Sequence, residues 1–187
     1  MKKKIIFSTG GTGGHIFPAI HLMSHFFEKN YDTILVTDVR GDSFIKKNLK
    51  FKSYILPADT PTNKKFLKRI LSFLLIFYSI IKSIIILKKE KPDLVFGMGG
   101  YVSFPISLTS KLFNIPLVIY ESNMVLGRAN KILAPISKKI FLSKKNLENY
   151  NEKYKVKTRY VSSIVAKKII NYKSTKRNEN NNFSILV

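Results

Sequence analysis

Apolar residues in this 187-residue chain fall into short unbroken runs, each followed by a polar or glycine-bearing turn and then by apolar positions at helical spacing. The runs at residues 4–8, 33–37, 53–56, 93–96, 117–120 and 139–142 are rich in Ile, Val, Leu and Phe and read as strands buried on both sides. Between them the pattern predicts helices over residues 17–29, 66–89, 103–113 and 127–134. In the first of these, Ile16, Ile20, Met23 and Phe27 recur at i, i+4, i+7 and i+11, the stripe of a helix packed on a sheet. Pro18 falls near its start, where a missing N–H costs little. Strands alternating with helices predict an α/β fold: a Rossmann-like parallel sheet with helices on both faces. From Lys144 onward the chain turns polar and lysine-rich. Residues 171–182 have the composition of a linker, and Phe183, Ile185, Leu186 and Val187 read as the first strand of something further. A lone terminal strand either joins the existing sheet or begins a second domain, and the expectation is that the chain is the front part of a longer protein.

Composition sharpens this picture. At 45% apolar the chain can bury a core, and without cysteine it has no disulfide, thiolate metal site or cysteine nucleophile. Lys and Arg number 33 against 11 acidic residues, a net charge of +22. Such an excess invites a nucleic-acid reading. Against it, the charge is spread along the chain, and 28 of the 33 basic residues are Lys rather than the Arg that base readout favours. With 24 Ile and 14 Asn, the excess fits the coding bias of an AT-rich genome, so no nucleic-acid partner is expected. A lysine-rich surface is still drawn to anionic lipid and phosphate. The opening Met1–Phe7 resembles the charged start of a signal peptide, but its apolar run breaks at Ser8-Thr9-Gly10-Gly11, which predicts a cytoplasmic protein.

The candidate chemistry lies at strand ends. The first strand runs into Gly10-Gly11-Thr12-Gly13-Gly14-His15, where four glycines in five positions let backbone approach a ligand and the following helix start favours an anion. The spacing is neither the dinucleotide fingerprint nor a Walker A loop. A second such turn, Gly97-Met98-Gly99-Gly100-Tyr101, follows the run at 93–96, and a third strand end supplies Tyr120-Glu121-Ser122-Asn123. Glycine turns at the carboxyl ends of strands in one parallel sheet line one crevice, and a doubled phosphate cradle suits a diphosphate. His21 and His25 stand four apart without a third ligand nearby and read as a helix-face pair. No acidic cluster is present to hold a metal against a nucleotide diphosphate, so neither metal nor cofactor is expected.

Residues 10–19 (GGTGGHIFPA), 97–105 (GMGGYVSFP) and 120–131 (YESNMVLGRANK), in this order and spacing, resemble the amino-terminal domain of the MurG family, the membrane-associated peptidoglycan N-acetylglucosaminyltransferases of glycosyltransferase family 28. That resemblance implies the N-terminal half of a GT-B fold, with residues 1–165 as an acceptor-binding domain, 166–182 as linker and 183–187 as the start of a missing donor-binding domain. It implies an inverting transfer of N-acetylglucosamine from UDP-N-acetylglucosamine to undecaprenyl-diphosphate-muramyl-pentapeptide, lipid I to lipid II. This chain alone would be inactive for want of its donor half. By the same resemblance Thr12, Gly13, Gly14 and Asn123 contact the donor, and Gly10, Gly11, Gly99, Gly100 and Tyr101 cradle the acceptor diphosphate. His15 and Glu121 face the acceptor crevice as candidate catalytic groups. An imidazole titrates within reach of neutral pH and suits a general base, although a turn cap or phosphate contact is the plainer role for His15. The chain departs from the family where a Gly-Asn-Pro-Val-Arg run gives way to Ser162-Ser163-Ile164-Val165-Ala166-Lys167, so that the family arginine falls on Ala166, beside Lys167. Two other readings stand beside the transferase: the acceptor and membrane subunit of a split enzyme, and a non-catalytic module that binds a lipid diphosphate.

Residues 70–87 carry one charge, Lys82, and sit at the short limit for a membrane span. Flanking Lys64, Lys65, Lys68, Arg69, Lys88 and Lys89 favour an interfacial helix lying on an anionic membrane surface, with Ile70, Phe73, Leu74, Phe77 and Ile81 as its contact. A buried core helix and a true span are the alternatives. The expected location is peripheral, at the cytoplasmic face of the cell membrane.

Overall fold

In the first strand Ile5 and Phe7 pack into one apolar cluster and Ile6 into another, because successive side chains leave a strand on opposite faces. The same split runs through the neighbouring strands, where Leu35 joins the first cluster and Ile34 and Val36 the second. Two cores thus sandwich one sheet. The structure, a computed structural model, describes residues 2–10, 13–46, 51–57, 66–145, 147–148 and 150–165.

Its elements are β1 (Lys4–Ser8), α1 (Gly13–Glu28), β2 (Asp32–Thr37), α2 (Val39–Lys46), β3 (Lys52–Ile55), α3 (Phe66–Glu90), β4 (Leu94–Gly97), α4 (Ser103–Leu112), β5 (Leu117–Glu121), α5 (Arg128–Leu133), β6 (Lys139–Leu142) and β7 (Thr158–Tyr160). All seven strands are parallel, in the order β3-β2-β1-β4-β5-β6-β7. The α/β reading and the six expected strands stand. α1 and α2 pack together on one face, where the rings of Phe17 and Phe44 meet edge to face; α3 and α4 pack against each other on the other.

Several expectations are corrected. α1 begins at Gly13, not at residue 17, so Pro18 lies inside the helix. Pro18 thereby removes one helix hydrogen bond, the one its amide would have given to the Gly14 carbonyl. Ile16, Ile20 and Met23 are buried as expected, but Phe27 is 61% exposed and leans edge-on against Phe51. α2 and β7 were not expected. α2 is short and polar, and its start is held by the Asp38 carboxylate accepting from the Gly41 amide at 2.8 Å. β7 has three residues and forms by pairing with β6.

α3 is inside-out. Ser72, Ser79 and Ser83 face the protein and are fully buried, while Ile70, Phe73, Leu74, Phe77 and Ile81 are all exposed. Ser79 donates to the Pro57 carbonyl at 2.6 Å and Ser83 to the Ser79 carbonyl at 2.7 Å, which satisfies the buried hydroxyls locally. α3 packs along α4. α3 is long and apolar enough to cross a membrane by composition, with mean hydropathy 2.5 and 28% of its most apolar stretch buried. Its far end is latched: Glu90, 5% exposed, accepts from Lys4 Nζ at 3.0 Å, from Lys52 Nζ at 2.5 Å and from the Tyr54 hydroxyl.

Candidate active site

β1 lies where the strand order reverses, between β2 and β4, and a crevice opens beyond the carboxyl ends of strands at such a point. The two glycine turns meet there. The Met98 amide donates to the Ser8 carbonyl at 2.8 Å, which holds the second turn against the first. Gly99 and Gly100 then take φ of +91° and +81°, values that a side chain disfavours. A Cβ on Gly100 would stand 3.0 Å from the Gly10 carbonyl oxygen, and one on Gly99 would stand 3.1 Å from the His15 ring. Backbone therefore packs on backbone and ring on backbone, and only glycine permits it.

A cavity of about 160 Å³ opens over this junction. His15 from α1, Gly99, Gly100 and Tyr101 from the second turn, and Glu121 and Asn123 from the end of β5 all line it. Residues 127–130, at the start of α5, complete the wall. The other expected residues lie elsewhere. Gly13 and Gly14 open α1 outside the lining, and Gly10 sits behind the wall against Gly100 and Val102. Gly11, Thr12, Ala166, Lys167, the linker and residues 183–187 fall outside the described residues. Among the described residues no three His, Cys, Asp or Glu side chains cluster in a way that could hold a metal ion.

Glu121 is 1% exposed, and its carboxylate is filled. Oε1 accepts from the Asn123 amide at 3.1 Å and from Asn123 Nδ2 at 2.9 Å; Oε2 accepts from the Gly127 amide at 2.8 Å and from Asn130 Nδ2 at 2.9 Å. Four N–H donors take up the acceptor positions that a base would need, so the geometry makes Glu121 the organiser of the 121–130 loop. His15 is less constrained. Its Nδ1 lies 3.5 Å from Ser122 Oγ, and Ser122 is held through its carbonyl, which accepts from Ser143 Oγ at 2.7 Å. Asn130, 1% exposed, donates its second Nδ2 hydrogen to the Tyr120 carbonyl at 3.1 Å, and its Oδ1 has no donor among the described residues. Burial pushes the Tyr120 hydroxyl above the ordinary tyrosine range; it lies 3.4 Å from both the Ser162 carbonyl and the Ile164 amide.

Sequence reasoning missed Ser122 and residues 127–130. The signal was present in a glycine just ahead of a helix with Arg and Asn in its first turn, but nothing local says that Glu121 reaches across to that glycine.

Residues 5–142 match the model of the glycosyltransferase family 28 N-terminal domain. A transferase of Pelagibacter ubique, named UDP-N-acetylglucosamine–N-acetylmuramyl-(pentapeptide) pyrophosphoryl-undecaprenol N-acetylglucosamine transferase, is 37% identical over 174 residues, covering 91% of this chain and 47% of its own. The Wolbachia protein of the same name from Brugia malayi is 45% identical over 127 residues, covering 68% of this chain and 35% of its own. The chain thus spans less than half the length of these relatives. Among solved structures, Acinetobacter baumannii MurG superposes with a TM-score of 0.73 at 22% identity, over 88% of this chain and 47% of that one. The S. aureus MnaA–UDP co-structure superposes at 0.66 with 16% identity, over 87% and 44%. At these identities the superpositions establish a shared fold.

Proposed function

We propose a function from an established premise: this chain belongs to glycosyltransferase family 28, whose N-terminal domain it carries over residues 5–142. The domain is the acceptor-binding half of an inverting transferase. That enzyme moves N-acetylglucosamine from UDP-N-acetylglucosamine to the C4 hydroxyl of the muramyl sugar in undecaprenyl-diphosphate-muramyl-pentapeptide, a step of peptidoglycan synthesis. The names of the relatives support this reading, and each relative is more than twice as long as its matched region.

The observation that carries the proposal is the convergence of His15 with Gly99 and Gly100 on one cavity at the carboxyl ends of β1 and β4. In this mechanism the acceptor hydroxyl attacks the anomeric carbon of the donor sugar in one displacement, and the UDP leaving group departs from the opposite face. His15 takes the hydroxyl proton at Nε2, with Nδ1–H donated to Ser122 Oγ to set the tautomer. Main-chain N–H groups of the glycine turns meet diphosphate charge, which they do without reorganising. Glu121 acts indirectly, by fixing Asn123 and the start of α5. Asn123, exposed on the rim, is the donor contact on this half; Gly13 and Gly14 take the same role at the start of α1, and Thr12, which precedes them in the sequence, shares it by the family resemblance.

The acceptor's lipid tail requires a membrane nearby, and α3 supplies the surface. α3 runs antiparallel to the strands, since Glu90 at its end meets Lys4 and Lys52 at the starts of β1 and β3. Its first half therefore lies toward the crevice end of the sheet, and Ile70, Phe73, Leu74, Phe77 and Ile81 form an exposed apolar face. With Lys68 and Arg69 before that face and Lys88 and Lys89 after it, α3 rests on anionic lipid at the cytoplasmic face of the membrane.

The deciding experiment joins this chain to the C-terminal half of the Pelagibacter ubique relative and assays sugar transfer to lipid I in mixed micelles. Transfer that His15→Ala lowers at least about 100-fold, as loss of a general base does, supports the proposal. No transfer from a hybrid shown to be folded overturns it.

A further inference from the structure

Among the described residues that line the cavity, Arg128 is the one permanent cation. It is also one of only five arginines in a chain with 28 lysines, so a guanidinium stands here where the composition would more readily supply an ammonium. The two are not equivalent: the planar fork gives a phosphate two parallel N–H donors, and a lysine gives a point charge. Its backbone root is fixed, because the preceding Gly127 donates its amide to Glu121 at 2.8 Å and accepts from the Lys131 amide at 2.8 Å. Its side chain is exposed at the rim. Satisfying Glu121 does not require it, since Asn123, Gly127 and Asn130 already fill that carboxylate. Within the same cavity, Gly99 and Gly100 present backbone with no Cβ to hold an anion away.

We propose that Arg128 grips the diphosphate of a substrate from the side of the cavity facing the Gly99–Gly100 turn; this rests on the reading that the cavity receives that diphosphate. Two substrates of the proposed reaction carry the group, the lipid acceptor and the nucleotide sugar, and probes separate them.

The 187-residue chain is titrated in neutral detergent with farnesyl diphosphate, farnesyl monophosphate and UDP-N-acetylglucosamine, with folding of each variant verified by circular dichroism. Arg128→Gln is expected to weaken a diphosphate probe by about 10- to 100-fold, the scale of a lost charge-assisted contact. Arg128→Lys should recover part of that loss, and the monophosphate should change less. Loss confined to farnesyl diphosphate assigns the grip to the acceptor, and loss confined to UDP-N-acetylglucosamine assigns it to the donor; either supports it. If Arg128→Gln binds both diphosphates as tightly as the parent chain while Gly99→Ala weakens them, the arginine assignment is overturned and the cavity reading stands. If neither probe binds the parent chain, both fall together.

Discussion

Position 99 has room for a hydrogen and little else, because a methyl there would press on the His15 ring at 3.1 Å in a turn whose φ of +91° already disfavours one. Gly99→Ala should therefore strain the turn by about 1 kcal/mol and push the imidazole off Ser122. The expected result is a loss of transfer of roughly 10-fold or more in the hybrid enzyme, as misplacing a catalytic group by an ångström brings, with only a small change in melting temperature. Displaced His15 imidazole signals in the NMR spectrum would tie the loss to the ring. Glu121 separates its possible roles differently. Gln at this position turns an NH₂ toward N–H donors of the loop and leaves them unpaired, at a cost of about 1–3 kcal/mol. As organiser, Glu121→Gln should lose stability and activity together and speed hydrogen exchange at the Asn123 and Gly127 amides. A general base would lose activity with exchange and melting unchanged, and that outcome would restore Glu121 to the catalytic role expected from sequence.

At the scale of an element, α3 breaks the usual rule that a helix turns its apolar stripe inward, and the breach can be tested from both sides. Phe73 and Phe77 are exposed, so replacing both with Glu should shift stability by no more than about 0.5 kcal/mol per site. The same pair should abolish cosedimentation with vesicles of anionic lipid; retained cosedimentation would remove α3 as the contact. Ser83 is fully buried, and Ser83→Leu should overpack the inward face of α3 at about 1–3 kcal/mol, read by urea unfolding. The bounds of α3 were legible from its apolar run to within a residue, but which side faces inward was not. Hydropathy sends Phe and Leu to the core by default; which side faces inward depends on contacts outside the helix, with α4 and with the Pro57 carbonyl that Ser79 reaches. The strands were legible because a parallel sheet covered on both faces demands unbroken apolar runs. α2 and β7 were not, since a side-chain cap and edge pairing sustain them in place of hydrophobic period. The site divides along the same line. Glycines and His15 announced themselves because a phosphate turn is local, whereas Arg128 and Asn130 come to the cavity because the Gly127 amide and Asn130 Nδ2 both donate back to Glu121, six and nine residues earlier.

For the molecule as a whole, the parallel sheet puts every strand's carboxyl end, and the cavity with them, at one pole, and leaves the opposite pole to be held shut by other means. Glu90 does this by joining the end of α3 to β1 and β3. Burial is the largest single influence on its carboxyl and pushes its pKa up, but the donors Lys52, Tyr54 and Lys4 together outweigh it and bring the group to about 2, from an ordinary 4.5. The folded protein then binds fewer protons than the unfolded chain between those values. The stabilisation is accordingly complete above about pH 4.5 and drains away as pH falls toward 2, so acid unfolding should steepen in that window. Glu90→Gln lacks the effect at every pH. It should be less stable than the parent by roughly 3 kcal/mol at pH 7, and the gap should close as pH approaches 2. Lys52→Met should cost less, under about 1 kcal/mol, because Lys52 is half exposed and Lys4 and Tyr54 still reach the carboxylate. Urea unfolding at pH 7, 4 and 3 on the three proteins measures the gap, and a Glu90→Gln deficit that stays constant with pH would show that the clamp holds by shape rather than by charge.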